Sequence, residues 1–216
     1  MNAAELLRWQ WEGYPRFHRS RANLLLHILA VPEIRRVSRG RSRIVTLEER
    51  LVAFDAARIS LLDDLAALEP AVLTARPLAG KWSILEIVEH LVLAERAVFG
   101  GMPDPSRLEA RERGLADDVR YLLVTFILKA GIPVRAPSRR MLPQGGRNLA
   151  ELRGMWDENK TWLLSVLDAL GSEGLGRAVF VHPVAGPLTV EQSVRMARVH
   201  LGRHVTQIRA LQRLVV

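Results

Sequence analysis

This sequence predicts an all-α fold: a four-helix bundle with long crossover connections, preceded by a short basic N-terminal extension. Three observations carry that expectation. Four segments open with a small polar residue followed three positions on by Glu or Gln, and each continues with apolar residues at helical spacing. The first three segments stop where Pro or Gly stops them. Strand signals are thin: only RAVFVHP at 177–183 carries one, and it reads as an extended loop entering the last helix.

The elements follow in order. Thr46 with Glu49 opens a helix over about 46–68, closed by Pro70. Ser83 with Glu86 opens a second over about 83–100, closed by Gly100-Gly101-Met102-Pro103. Asn148 with Glu151 opens a third over about 148–170, closed by Gly171. Thr189 with Gln192 opens the last, over about 189–213. The long connection at 101–147 is expected to hold an extra helix near 107–130 and then a Pro- and Gly-rich loop, GIPVRAPSRRMLPQGG. Four helices of this length point to a bundle, and the long connection leaves room for a topology other than up-down-up-down.

Residues 1–44 differ in kind. They carry nine Arg and three Glu, a net of +6 within the chain's total of +8. The bundle domain, 45–216, is therefore nearly neutral, which argues against a dedicated nucleic-acid surface. An Arg/Ser/Gly run, RRVSRGRSR at 35–43, reads as a linker, so a domain boundary falls at about residue 44. No apolar stretch is long enough to span a bilayer; YLLVTFIL at 121–128 is closed by Arg120 and Lys129. The N-terminus has no cleavage-site pattern, so a cytoplasmic protein is expected.

The chain has no cysteine, so any metal must be held by His, Asp or Glu, and a cysteine nucleophile is excluded. Phosphate-binding Gly-rich loops, HExxH and nucleophile elbows are absent from the sequence. What remains is a set of histidines. His200 and His204 form an H-x-x-x-H pair, which a helix places one above the other on one face. Val194, Ile208 and Leu211 put the core stripe beside them. His90 lies in GKWSILEIVEHLVLAE, between Ile87 and Ala94. Three imidazoles could hold one divalent ion and leave a coordination position open for water or substrate. Buried histidines also occur as hydrogen-bonded core residues, so the residues alone leave both readings standing. His182, before Pro183, reads as a turn residue near the site entrance and not as a ligand. Glu89 and Glu95 read as surface or ion-paired charges, with support of the ligands as the other option. Trp82, Trp156 and Trp162 read as packing residues.

At these residues the chain resembles the DinB/YfiT-like superfamily. The resemblance covers about 46–213, through GKWSILEIVEHLVLAE, APSRRMLPQGGRNLAELRGMW and HPVAGPLTVEQSVRMARVHLGRHVTQIRAL. It implies a bundle with long crossovers and a divalent metal, often nickel or zinc. Its ligands would be one histidine on the second helix and an H-x-x-x-H pair on the last, which match His90, His200 and His204. Characterised relatives include transferases and isomerases that use low-molecular-weight thiols such as bacillithiol or mycothiol, and others carry a metal-dependent hydrolase label. The resemblance thus implies a thiol-dependent transferase, or a hydrolase, in which a metal lowers the pKa of a bound thiol or water. A non-catalytic bundle that binds a metal or small ligand is the alternative. The expected partners are a small-molecule substrate, a low-molecular-weight thiol among the candidates, and a second copy in a homodimer; no nucleic acid is expected.

Residues 1–34 show a second resemblance. EGYPRFHRSRANLLLHILAVP is similar to the start of a membrane-associated family of 2-hydroxy-fatty-acid dioxygenases, through His18, Asn23, His27 and Pro32. That family's transmembrane body and later histidines are missing here. The resemblance implies a gene remnant, a fusion, or a start codon placed too early. A basic arm that touches a membrane or an acidic partner is the rival reading.

Overall fold

A computed structural model describes residues 46–99, 111–132, 136 and 138–215. The expected extension, its linker and the boundary at about residue 44 lie outside the described residues. The described helices are α1 (Leu47–Ala66), α2 (Pro70–Thr74), α3 (Ile84–Phe99), α4 (Leu115–Lys129), α5 (Leu149–Gly174) and α6 (Val190–Val215), with a 3-10 turn at Arg139–Met141. One antiparallel hairpin, β1 (Ala178–His182) and β2 (Gly186–Thr189), stands between α5 and α6. Among the described residues the fold is all-α apart from this hairpin and an isolated bridge.

Helix starts follow local chemistry. Ser83, Asn148 and Thr189 each accept from the backbone N–H three residues on, at 3.2, 2.9 and 3.2 Å. Glu86, Glu151 and Gln192 each reach back to the capping residue's own N–H, at 2.8, 2.7 and 3.0 Å. Two otherwise free backbone donors are satisfied at each start. α1 ends at Ala66, four residues before Pro70, and Pro70 itself opens α2, because a helix's first position needs no N–H.

The bundle consists of α1, α3, α5 and α6. α1 packs on α5 and α6, and α3 packs on the same two. Helices consecutive in the bundle, α1 then α3 and α5 then α6, therefore sit at opposite corners. The crossovers are the stretch holding α2 and the stretch holding the hairpin. The longest connection, 101–147, joins neighbours. Core side chains come at helical spacing: Phe54, Leu61 and Leu65 from α1; Ile84, Ile87, Val88 and Leu91 from α3; Leu152, Trp156, Leu163 and Val166 from α5; Val194, Leu201, Ile208 and Leu211 from α6.

Three expectations are corrected. The extra helix begins at Leu115, not near 107. Gly114 starts it, with its N–H donating to Asp117 Oδ2 at 3.0 Å, and Arg111 pairs as an isolated bridge with Ala178. The stretch at 177–183 is a strand, not an extended loop, because 186–189 folds back on it. The partner strand is short and begins Gly186-Pro187, which hides it from a search for alternation. The third helix does break at Gly171 (φ 57°, ψ 180°), yet a helical turn resumes and runs to Gly174.

Candidate metal centre

α3 and α6 are neighbouring corners of the bundle, and the three histidines meet where they face each other. His90 comes from the middle of α3; His200 and His204 come from successive turns of α6. One ligand-capable nitrogen from each ring can be chosen so that all three lie within 4.8 Å of one another. Nε2 of His200 and Nε2 of His204 are 3.1 Å apart. The ring planes meet nearly edge to face, at 79°, 68° and 88°, so the rings do not stack.

Two rings are oriented from behind. Nδ1 of His90 lies 2.7 Å from the Met141 carbonyl oxygen. A carbonyl only accepts, so the proton sits on Nδ1 and Nε2 keeps its lone pair. Nδ1 of His204 likewise faces Gln207 Oε1 at 2.9 Å, leaving Nε2 free to ligate. This is the arrangement in which an outer hydrogen bond fixes a ligating imidazole. Trp82 packs on His90 at 5.0 Å between ring centroids.

The surroundings keep the rings neutral. Burial lowers the pKa of His90, and the Arg203 charge lowers it further against the pull of Met141. Burial takes His204 down to about 3, with His90 and Arg203 adding to it. His200 lies well below its ordinary value, through burial first and then through His204, His90 and Arg203. Neutral imidazoles are the form that binds metal. With bonds of about 2.1 Å, two nitrogens stand about 3.0 Å apart at a right angle and about 3.4 Å apart at the tetrahedral angle. The observed 3.1 Å falls between these values. The residues therefore fit a divalent ion, and an all-imidazole set suits zinc or nickel better than magnesium or calcium.

The other singled-out residues have different roles. Glu89 is buried, accepts from Gly145 N–H at 2.9 Å and pairs with Arg147, so it latches the 142–148 loop to α3 beside His90. Glu95 is buried and accepts from Trp156 Nε1 at 2.8 Å; burial pushes its pKa up to about 7. Neither acid is a surface charge. Trp156 is a core residue, as expected. His182 ends β1, and its Nδ1 accepts from the N–H groups of Val184 and Ala185 at 3.1 and 3.0 Å. It is a turn residue that holds the hairpin closed, near enough for His200 to sense its charge. Met141, Gln207 and Arg203 were not singled out from sequence. Gln207 was readable in principle, since it follows His204 by three positions on the same helical face. A backbone carbonyl has no such signal.

The DinB superfamily model matches residues 53–208, most of the chain and all three histidines. The chain belongs to the DinB superfamily. Searches of curated proteins and of solved structures returned no match. No described helix of this DinB-superfamily chain is long and apolar enough to cross a membrane.

Proposed function

We propose that His90, His200 and His204 hold one divalent ion, nickel or zinc, and that the protein is a cytoplasmic metal-dependent enzyme. A thiol-dependent transferase is the preferred chemistry, with hydrolysis second. The observation that carries the reading is the orientation of His90 and His204: each spends Nδ1 on an acceptor and keeps Nε2 for the cluster. A divalent ion held there would lower the pKa of a coordinated thiol or water toward neutrality.

The chain's own contribution is placement. α3 and α6 fix the three nitrogens, while Met141 and Gln207 fix the rings. The chain has no cysteine, so a reacting sulfur must arrive on a cosubstrate. In transfer, that sulfur loses its proton to solvent and bonds to the electrophilic carbon, and the leaving group departs with the bonding electrons.

A second reading has an observation of its own. His90 and His204 are 6% and 8% exposed, which suits a structural metal or a small bound ligand in a non-catalytic bundle. Elemental analysis of purified protein tests the metal. A thiol-transfer screen with a generic electrophile, with and without chelator, tests the chemistry. One equivalent of metal and chelator-sensitive transfer are expected. Full metal occupancy with neither transfer nor hydrolysis would favour the structural bundle, and absence of metal would remove the enzyme reading and leave only a bundle that binds a small ligand.

A further inference from the structure

We propose that the centre takes an anionic substrate, and that Arg203 is the side chain that holds its carboxylate. This rests on the metal reading above and names the substrate class for that site.

Arg203 directly precedes His204 and follows His200 by three residues, so it leaves α6 within one turn of both ligands. It is half-buried. Arg195, Arg198 and Arg209 on the same helix are exposed and need no partner. Half-buried arginines elsewhere in the bundle do have partners: Arg50 pairs with Glu191 and Arg147 with Glu89. Arg203 has no ion pair or hydrogen bond with any described residue.

The acids nearest the ligands in sequence are already engaged. Glu86 accepts from Arg76 and from Ser83 N–H, and Glu89 accepts from Arg147 and Gly145 N–H. The ligand set is three neutral rings with no carboxylate among them. Among the described arginines, Arg203 is also the one whose charge reaches all three histidines. A half-buried guanidinium beside a divalent ion and neutral ligands would leave the site strongly positive, and nothing described on the protein balances it. An incoming anion supplies the balance. The planar fork of a guanidinium matches a carboxylate with two parallel hydrogen bonds.

The test uses the metal-loaded full chain and two simple thiols, 3-mercaptopropionate and the uncharged 2-mercaptoethanol. Binding is read by calorimetry, and metal content is measured in parallel. Wild type is expected to bind the carboxylate-bearing thiol roughly tenfold or more tightly than the neutral one, as a charge-assisted pair implies. Arg203→Gln should keep its metal and lose that preference. Arg203→Lys should restore part of it, since the charge returns without the fork. Equal affinities in wild type, or a preference that survives in Arg203→Gln, would overturn the assignment while leaving the metal centre standing. Inorganic phosphate that displaces 3-mercaptopropionate better than acetate does would overturn the carboxylate in favour of a phosphate. Wild-type protein that takes up no metal would instead overturn the reading on which the proposal rests.

Discussion

Arg58 of α1 and Glu95 of α3 meet inside the bundle from opposite corners, with Nη1 3.9 Å from Oε1. Trp156 of α5 ties them together. Its indole N–H donates to Glu95 at 2.8 Å, its carbonyl accepts from Arg58 at 2.8 Å, and the guanidinium lies over its ring at 5.1 Å. One buried polar cluster thus joins three of the four bundle helices.

Breaking that cluster from one side should be costly. Arg58→Ala leaves a buried carboxyl without its cation and is expected to lower stability by about 3–5 kcal/mol. Arg58→Met combined with Glu95→Gln removes both charges and should recover much of the loss. Denaturant unfolding of the three proteins decides this, and a double variant no better than Arg58→Ala would show that the charges do not act as a pair.

The same cluster predicts a pH dependence. Burial raises the Glu95 pKa to about 7 in the folded protein, from an ordinary value of 4.5. A raised folded value means the native state binds the proton more tightly. Its contribution is fully present below pH 4.5 and is lost as pH rises through about 7. The four described histidines, His90, His182, His200 and His204, run the other way. Their folded values lie below 6.5, so their contribution is intact above 6.5 and falls away toward about 3 for His204 and about 4 for His182. Subtracting the stability curve of Glu95→Gln from that of wild type isolates the first effect. A difference that does not decline between pH 4.5 and 7 would contradict it.

At the centre, His200→Ala should sharply reduce metal content while far-UV circular dichroism stays close to wild type. Gln207→Ala keeps all three ligands but frees the His204 ring, and an affinity loss of about 10–100-fold is expected in competition with a chelator. Unchanged affinity would detach Gln207 from the site.

His182→Ala should leave metal content intact. It removes the acceptor for two backbone N–H groups in the hairpin turn. A destabilisation of about 1 kcal/mol is expected. Metal loss in this variant would make His182 a ligand.

We further propose that residues 1–44 are a separate extension. A chain starting at Val45 should melt within a few degrees of the full chain, and a large drop would show that the extension belongs to the fold.

Much of this was legible in the sequence. Ser83, Asn148 and Thr189 announced their helices because a cap is a local interaction between residues three apart. His200 and His204 announced their shared face for the same reason. The convergence of His90 with them needed the tertiary arrangement, which only the family resemblance supplied. The burial of Glu89 and Glu95 was not legible. α3 is covered by α2, α5, α6, the hairpin and the 3-10 turn, so even its charged positions are enclosed. A helical wheel assumes one solvent-facing side, and α3 has almost none. The hairpin escaped because its pairing partner lies beyond Pro183 and opens with Gly186-Pro187.

The two oriented ligands differ in how mutation can reach them. Gln207 orients His204 with a side-chain oxygen, so a single base change can erase that support. Met141 orients His90 with its carbonyl, which every amino acid possesses. Position 141 is buried, so it can change among apolar residues that keep the 3-10 turn in shape, and His90 would remain aimed. Comparing relatives by residue identity would therefore detect one half of the centre's scaffolding and miss the other, which is encoded in backbone shape and the Glu89–Arg147 latch.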